Sequence, residues 1–424
     1  VKATPAGRLI TGEIGPSAWA DPRFTRTWLD AMAPDHPVRL FAFTGHGNLV
    51  NSRTFALLKI PEDVGDPDGG HYGRDAAGRL DGRLEEYACI LAGRKLGLLT
   101  EPADAVAAYR KFAVDAGAFG ITSVQLMVDE LPVDQTVKHL VEANVPLRIR
   151  TYRFPMHEAG AAVVDSKPPV PPQPTPLIDT RGMKWMLDGT PIERLAFMRQ
   201  PYLDAPAERG RANFSSEQIA QFVGWAYGTE DPLAVHAVGD AAIDAYVSAV
   251  EHIGTPEVWQ QKRPRIEHGD MMSPDLIARM KRAGMVVVQN PIHFMLADMF
   301  VPRLGRERMA WIEPMKSLLD AGVPLAIGTD GPLNPFVQII GAITHPANPK
   351  EAISREQAVT AYTAGSAFAE FQEKDKGQLA IGKLADLAIL SADVFTVPVE
   401  QLESIRSEMT MLGGKVVHQS GAVR

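Results

Sequence analysis

Four polar residues stand where short apolar runs end. Lys184 lies inside Gly182-Met183-Lys184-Trp185-Met186-Leu187, His236 closes PLAVH, His268 closes RPRIEH, and Asp330 closes PLAIGTD. Two imidazoles and a carboxylate brought to one place are a ligand set for Zn²⁺ or a similar divalent ion. Such an ion lowers the pKa of a bound water towards neutrality and polarises a carbonyl. A nearby carboxylate can then carry the water's proton. Lys184 is the odd member, because an ammonium in an apolar strand is costly unless it is paired. Each residue alone has a plainer reading. A histidine after a strand is often structural, Thr-Asp-Gly is often a turn, and Lys184 could pair with Asp188 or Glu193. The joint pattern is stronger, because all four fall at equivalent points of successive units.

Those units alternate helix and strand. Non-alternating apolar strands are expected near residues 121, 147, 183, 233, 265, 285 and 325, with amphipathic stretches between them. Ser215 and Ser273 read as helix caps, and Gly117, Gly284 and Gly322 as helix ends. Seven consecutive units predict an α/β fold, a (β/α)₈ barrel one strand short, with functional groups gathered at the C-terminal strand ends. Residues 1–116 read as an N-terminal helix plus an inserted subdomain or loops near the barrel mouth. Residues 117–372 read as the barrel. Residues 373–424 read as short antiparallel strands with glycine turns, a small separate β unit. Within the first region VRLFAFTG is strand-like and DPDGGHYGRD reads as a turn, while KPPVPPQPTP (167–176) is a stiff loop ahead of Lys184.

Composition narrows the function. A net charge of −8 does not suit a surface built to grip nucleic acid or anionic lipid. No run approaches the ~18 apolar residues of a membrane span. The single Cys89 cannot form an internal disulfide, which makes a reducing, cytoplasmic setting the default. No phosphate loop, dinucleotide fingerprint or nucleophile elbow is present. The expected partner is a small-molecule substrate, with no nucleic acid and no membrane, and a homodimer is left open.

The series GMKWMLDG, VHAVGDAAID, RIEHGD and AIGTDGP, followed by GQLAIGKLADLAIL and GGKVV, resembles the metal-dependent amidohydrolase superfamily. More narrowly, with FTGHGNLVNSRTFALLKI and DAAGRLDGRL, it looks like the YtcJ-like branch, which includes N-substituted formamide deformylase. The resemblance covers nearly the whole chain. It implies a distorted (β/α)₈ TIM barrel with a small β-sandwich subdomain. It implies that Lys184 matches a lysine that CO₂ can carboxylate into a metal bridge, that His236 and His268 match metal ligands, and that Asp330 matches an acid that binds metal and moves protons. The implied cofactor is a divalent metal, Zn above others, as one ion or two. His46, in the segment similar to the family's substrate-side insertion, and His293, after the seventh strand, are expected to contact substrate. Trp185, Phe294, Met295, Met299 and Phe300 would line an apolar pocket or, more simply, pack the core.

One departure matters. The family carries a His-x-His pair at the end of its first strand, and none of the eleven histidines here forms one. The chain, which starts at Val1 without an initiator Met, is therefore expected to begin after that strand, and to turn over weakly or not at all by itself. The activity implied is hydrolysis of a C–N bond in an amide, an N-substituted formamide or a cyclic amide or urea. A barrel relic that only binds a ligand, and a deaminase or esterase on the same scaffold, stand as alternatives.

Overall fold

The computed structural model describes residues 4–156, 167 and 171–421. The first region forms a five-stranded sheet of β1 (Ile10–Ile14), β2 (Val38–Ala42), β3 (Gly47–Val50), β4 (Gly70–Arg74) and β5 (Leu80–Glu86), in the order β1-β2-β3-β5-β4. The expected turn at DPDGGHYGRD is corrected by β4, which pairs antiparallel with β5. Its glycines disguise it because close neighbours exclude side chains there. A Cβ on Gly70 would sit 2.2 Å from the Ala88 nitrogen. In β5 the two-residue strand period buries Leu80, Gly82, Leu84 and Glu86 on one face. A carboxylate is thus carried inward by the same alternation that buries two leucines.

The barrel strands are β6 (Ser123–Val128), β7 (Arg148–Arg153), the two-residue β8 (Ile178–Asp179), β9 (Met183–Met186), β10 (Leu233–Ala237), β11 (Arg265–His268), β12 (Val286–Gln289) and β13 (Leu325–Ile327). They pair in parallel in the order β13-β12-β11-β10-β9-β7-β6, with β8 added beside β7. Seven parallel strands therefore lie where the apolar runs predicted them. The sheet is curled into a half-barrel. Arg265 on β11 reaches across its hollow to Gln125 on β6 and to the Tyr152 hydroxyl on β7, at 3.3 Å. The outer strands β6 and β13 are not paired to each other among the described residues. One segment spans them instead. Gln125 donates to the Ser366 carbonyl at 3.4 Å, and the Ser366 hydroxyl donates to the Ile327 carbonyl at 3.2 Å.

Helices cover the outer face of the sheet. Ser215 forms a full capping box with Gln218, and Gly284 and Gly322 end helices with φ of 69° and 72°. Ser273 stands at an N-cap position, but its hydroxyl turns to Asp275 and caps no backbone N–H. The main core lies between strands and helices, where Met183, Val235, Ile266 and Val287 are fully buried. Trp185, Phe294 and Phe300 belong to packed clusters, while Met295 and Met299 are exposed. Most of the expected pocket is core.

The tail is a three-stranded antiparallel sheet of β14 (Leu387–Leu390), β15 (Ser407–Leu412) and β16 (Lys415–Gln419). It docks on the helix Pro102–Ala118 and on β7, through Thr410 to the Gly117 carbonyl (2.6 Å) and the ion pair Arg148–Asp386 (2.6 Å). Of the implied β-sandwich, this single layer is what the described residues contain. In the Pro-rich stretch, residues 168–170 lie outside the described residues, as do 422–424 of the tail motif. Among the described residues, no helix is long and apolar enough to cross a membrane.

Candidate metal centre

Strand geometry explains how the four residues reach one chamber. Along β10, Leu233, Val235 and Ala237 join the outer core, so His236 faces the hollow of the half-barrel. On β9, Trp185 stacks outward on Phe222 with ring centroids 4.7 Å apart, and its neighbour Lys184 takes the other face. On β11, Arg265 and Glu267 take the inner positions, and strict alternation would send His268 outward. A left-handed backbone at His268, φ 71°, breaks the alternation and turns the ring into the mouth. Asp330 (φ 40°), Glu86 (φ 52°) and Glu313 (φ 37°) share this rare conformation around the same chamber. Strained non-glycine backbone gathers at functional sites, where surrounding structure holds it.

Four imidazoles line up across the mouth. Ring centroids are 4.8 Å apart for His46–His236, 4.5 Å for His236–His268 and 5.3 Å for His268–His293. His46 comes from the turn between β2 and β3, so the N-terminal sheet delivers it into the barrel mouth. Its Nδ1 lies 3.1 Å from Glu86 Oε1, and Asn213 donates to the other Glu86 oxygen at 3.0 Å. His268 Nδ1 lies 2.8 Å from Asn290 Oδ1. Asp330 Oδ2 lies 3.6 Å from His268 Nδ1 and 3.6 Å from His293 Nε2. The ligand atoms of His268, His293 and Asp330 all fall within 4.8 Å of one another.

The chamber's electrostatics divide these rings. Burial, reinforced by the charges of His268, His46 and Lys184, drives His236 well below the ordinary histidine value. Burial brings His268 down to about 4, although Asp330 opposes it. Both rings are therefore neutral at pH 7, the form that offers a lone pair to a metal. For His46, burial works the other way from Glu86, and the carboxylate wins, holding the ring up at about 9. Asp330 is partly dehydrated, but His268, His293 and Lys184 keep its carboxyl below the usual range.

Two buried groups lack partners. His236 Nε2 makes no hydrogen bond, and its nearest acid, Asp188 Oδ1, is 3.7 Å away. Lys184, 4 % exposed, has no hydrogen bond or ion pair among the described residues. Burial lowers its amine to about 8, with Glu267 only partly compensating. The acids that might have paired it are engaged. Asp188 accepts the backbone N–H groups of Phe197, Val238 and Gly239, and Glu193 is bonded by Thr44 and Thr190. An orphaned imidazole nitrogen and an unpaired buried amine beside a second neutral imidazole and a carboxylate fit a metal ion. Among the described residues, the ligand atoms close enough to share an ion there are those of His268, His293 and Asp330, with His236 and Lys184 in the same chamber.

Sequence reasoning did not single out Glu86, Asn290, Asp270 or Glu313. Asp270 sits within the quoted motif RIEHGD, yet nothing in its spacing distinguishes it from a turn residue. An open cleft of about 320 Å³ beside the mouth is lined by Trp19, Arg83, Ile192, Glu193 and Arg303. Glu193 connects it to Thr44, two residues before His46.

A family model described as "Amidohydrolase family" matches residues 2–418. The chain is 27% identical over 412 residues to YtcJ of Bacillus subtilis, covering 93% of this chain and 76% of that protein. It is 24% identical over 415 residues to N-substituted formamide deformylase of Arthrobacter pascens, covering 92% and 75%. Among solved structures, an uncharacterized metal-dependent hydrolase of Pyrococcus horikoshii superposes with a TM-score of 0.69 at 21% identity, over 93% of this chain and 79% of that one. That likeness shows the fold.

Proposed function

This chain belongs to the amidohydrolase family, in its YtcJ-like branch, and from that premise we propose that it is a metal-dependent hydrolase of a carbon–nitrogen bond. The substrate bond lies in an amide, an N-substituted formamide or a cyclic amide or urea. The observation that carries the reading is the buried His236 Nε2, which has no hydrogen-bond partner, beside the neutral ring of His268, with the buried Lys184 side chain in the same chamber.

One divalent ion, with Zn²⁺ the first candidate, would be held by Lys184, His236, His268 and Asp330. When bound, it supplies an acidified water and polarises the substrate carbonyl. Lys184 is best suited to this role as a carbamate. Its neutral amine adds to CO₂, forming an N–C bond and releasing one proton, which replaces a buried cation by an anionic oxygen ligand. The lowered amine value favours the reactive neutral form. Asp330 accepts a proton from the attacking water and delivers it to the leaving nitrogen. Asn290 fixes the tautomer of His268 by accepting from Nδ1, which leaves Nε2 as the ligand atom. His46, braced by Glu86, would contact the substrate.

The test is a panel of N-formyl, N-acyl and cyclic amides, with esters and aminated heterocycles as controls, assayed on metal-loaded and chelator-stripped protein. Metal-dependent turnover of an amide that is lost in His236→Ala is expected. Turnover of esters or deamination alone would reassign the reaction. Full amide turnover in stripped protein or in His236→Ala would overturn the centre.

A further inference from the structure

Behind His293 lies a second group of buried ligands that the centre above does not use. Asp270 follows β11, His293 follows β12, and Glu313 sits in the loop before the helix Met315–Ala321. The two acidic loops are laced together. The Glu313 N–H donates to the Asp270 carbonyl at 2.7 Å, the Met272 N–H donates to the Trp311 carbonyl at 3.1 Å, and Met271 bridges Ile312. This lacing holds Glu313 at its left-handed φ of 37° and aligns its carboxyl with that of Asp270.

The side chains satisfy one another only in part. His293 Nδ1 is 3.3 Å from Asp270 and 3.5 Å from Glu313 Oε1, longer than the roughly 2.7–2.9 Å of a charge-assisted bond. Glu313 Oε1 receives only a long contact from the Asn290 N–H, at 3.4 Å. Glu313 Oε2 is buried with no N–H or O–H donor, in a residue with 0% exposure, and its carboxyl can bond that of Asp270 only by holding a proton between them. Ligand atoms of the three residues nevertheless lie within 4.8 Å of one another. Two carboxylates side by side with one imidazole need a proton or a cation between them.

We infer that Asp270, His293 and Glu313 form a second divalent-cation site, separated from the Lys184–His236–His268–Asp330 centre by the thickness of one imidazole ring. Two carboxylates and an imidazole suit Mn²⁺ or Zn²⁺. Binding there exchanges protons for the ion, the usual linkage at such sites. Burial holds Glu313 well above the ordinary carboxyl value, which is how the cluster is neutralised when no ion is bound. With Nδ1 on the cation, the proton of His293 resides on Nε2, the atom 3.6 Å from Asp330. The second ion thereby orients the group that faces the proton-transfer carboxylate.

The count of ions rests on the proposed centre, so the test separates the two sites. Full-length protein stripped with chelator is titrated with Mn²⁺ by EPR, and Zn²⁺ per chain is measured by mass spectrometry after gel filtration. Wild type is expected to hold two ions, Glu313→Gln and Asp270→Asn one, and His268→Ala only the ion behind His293. A wild-type count of one, lost in His268→Ala and kept in folded Glu313→Gln and Asp270→Asn, overturns the second site; a single ion lost in Glu313→Gln and kept in His268→Ala overturns the proposed centre instead. Two ions retained in folded Glu313→Gln and Asp270→Asn overturn it as well. If His268→Ala instead keeps both ions while Glu313→Gln loses one, the proposed centre fails and the second site stands.

Discussion

Replacing Lys184 by methionine in metal-free, CO₂-free protein is expected to stabilise the fold. The side chain is 4 % exposed and has no partner among the described residues. Burial lowers the amine from 10.5 to about 8. At ~1.4 kcal/mol per unit, keeping that ammonium charged inside the fold costs on the order of 3 kcal/mol. The sign follows from proton counting. The amine is depressed in the folded state, so below about 8 both states carry the proton and the folded state bears the full cost. Between about 8 and 10.5 only the unfolded chain binds the proton, so wild-type stability rises with pH relative to the variant. Above 10.5 the cost is gone. Methionine keeps the volume and removes the charge, a replacement that is often stabilising. Urea unfolding of both proteins in chelator, at pH 7 and pH 9.5, gives the comparison. The variant should be about 3 kcal/mol more stable at pH 7, and the gap should shrink at pH 9.5. A variant equal to or less stable than wild type at pH 7 refutes the picture of an unpaired buried amine.

Other outcomes follow from the same geometry. Glu86→Gln removes the carboxylate that holds His46 at about 9, so the His46 titration followed by NMR should move down towards or below the ordinary histidine value. An unchanged titration would mean that another group holds the ring. Gly239→Ala would place a Cβ 2.1 Å from the Phe197 carbonyl, next to the loop that follows His236. Overpacking of this kind costs ~1–3 kcal/mol, and a melting temperature equal to wild type would contradict the close approach of these two loops. Asp330→Asn should leave one fewer proton acceptor in the mouth, with kcat reduced at least ~100-fold at constant fold, as expected for loss of a general base. Wild-type kcat on the amide would remove Asp330 from the reaction.

The parallel strands β10, β12 and β13 were legible because they are buried along their length and read as apolar runs closed by Gly, Pro or a polar residue, whereas β6 is half-buried and β7, Arg148–Arg153, carries charged residues. Lys184, His236, His268 and Asp330 stood out because each interrupts or ends such a run. The N-terminal sheet was harder. GHYGR and LDGRLEE carry few apolar residues, and their strand character comes from pairing with each other and with β3, which local sequence does not report. Glu86 and Glu313 were invisible for a related reason. EE and WIEP look like surface sequence, and only an inward strand face or a left-handed backbone reveals that these carboxylates are buried. The tail strands were visible in their glycine turns, whereas their docking through Arg148 and Asp386 joins residues 238 positions apart.

The centre itself is tested most directly by anomalous diffraction at the zinc edge, on crystals grown with Zn²⁺ and bicarbonate. A peak is expected in the chamber bounded by Lys184, His236, His268 and Asp330, with density for a carboxylated Lys184 side chain reaching it. A chamber without an anomalous peak at saturating Zn²⁺, with Lys184 an unmodified amine, would contradict the proposed centre.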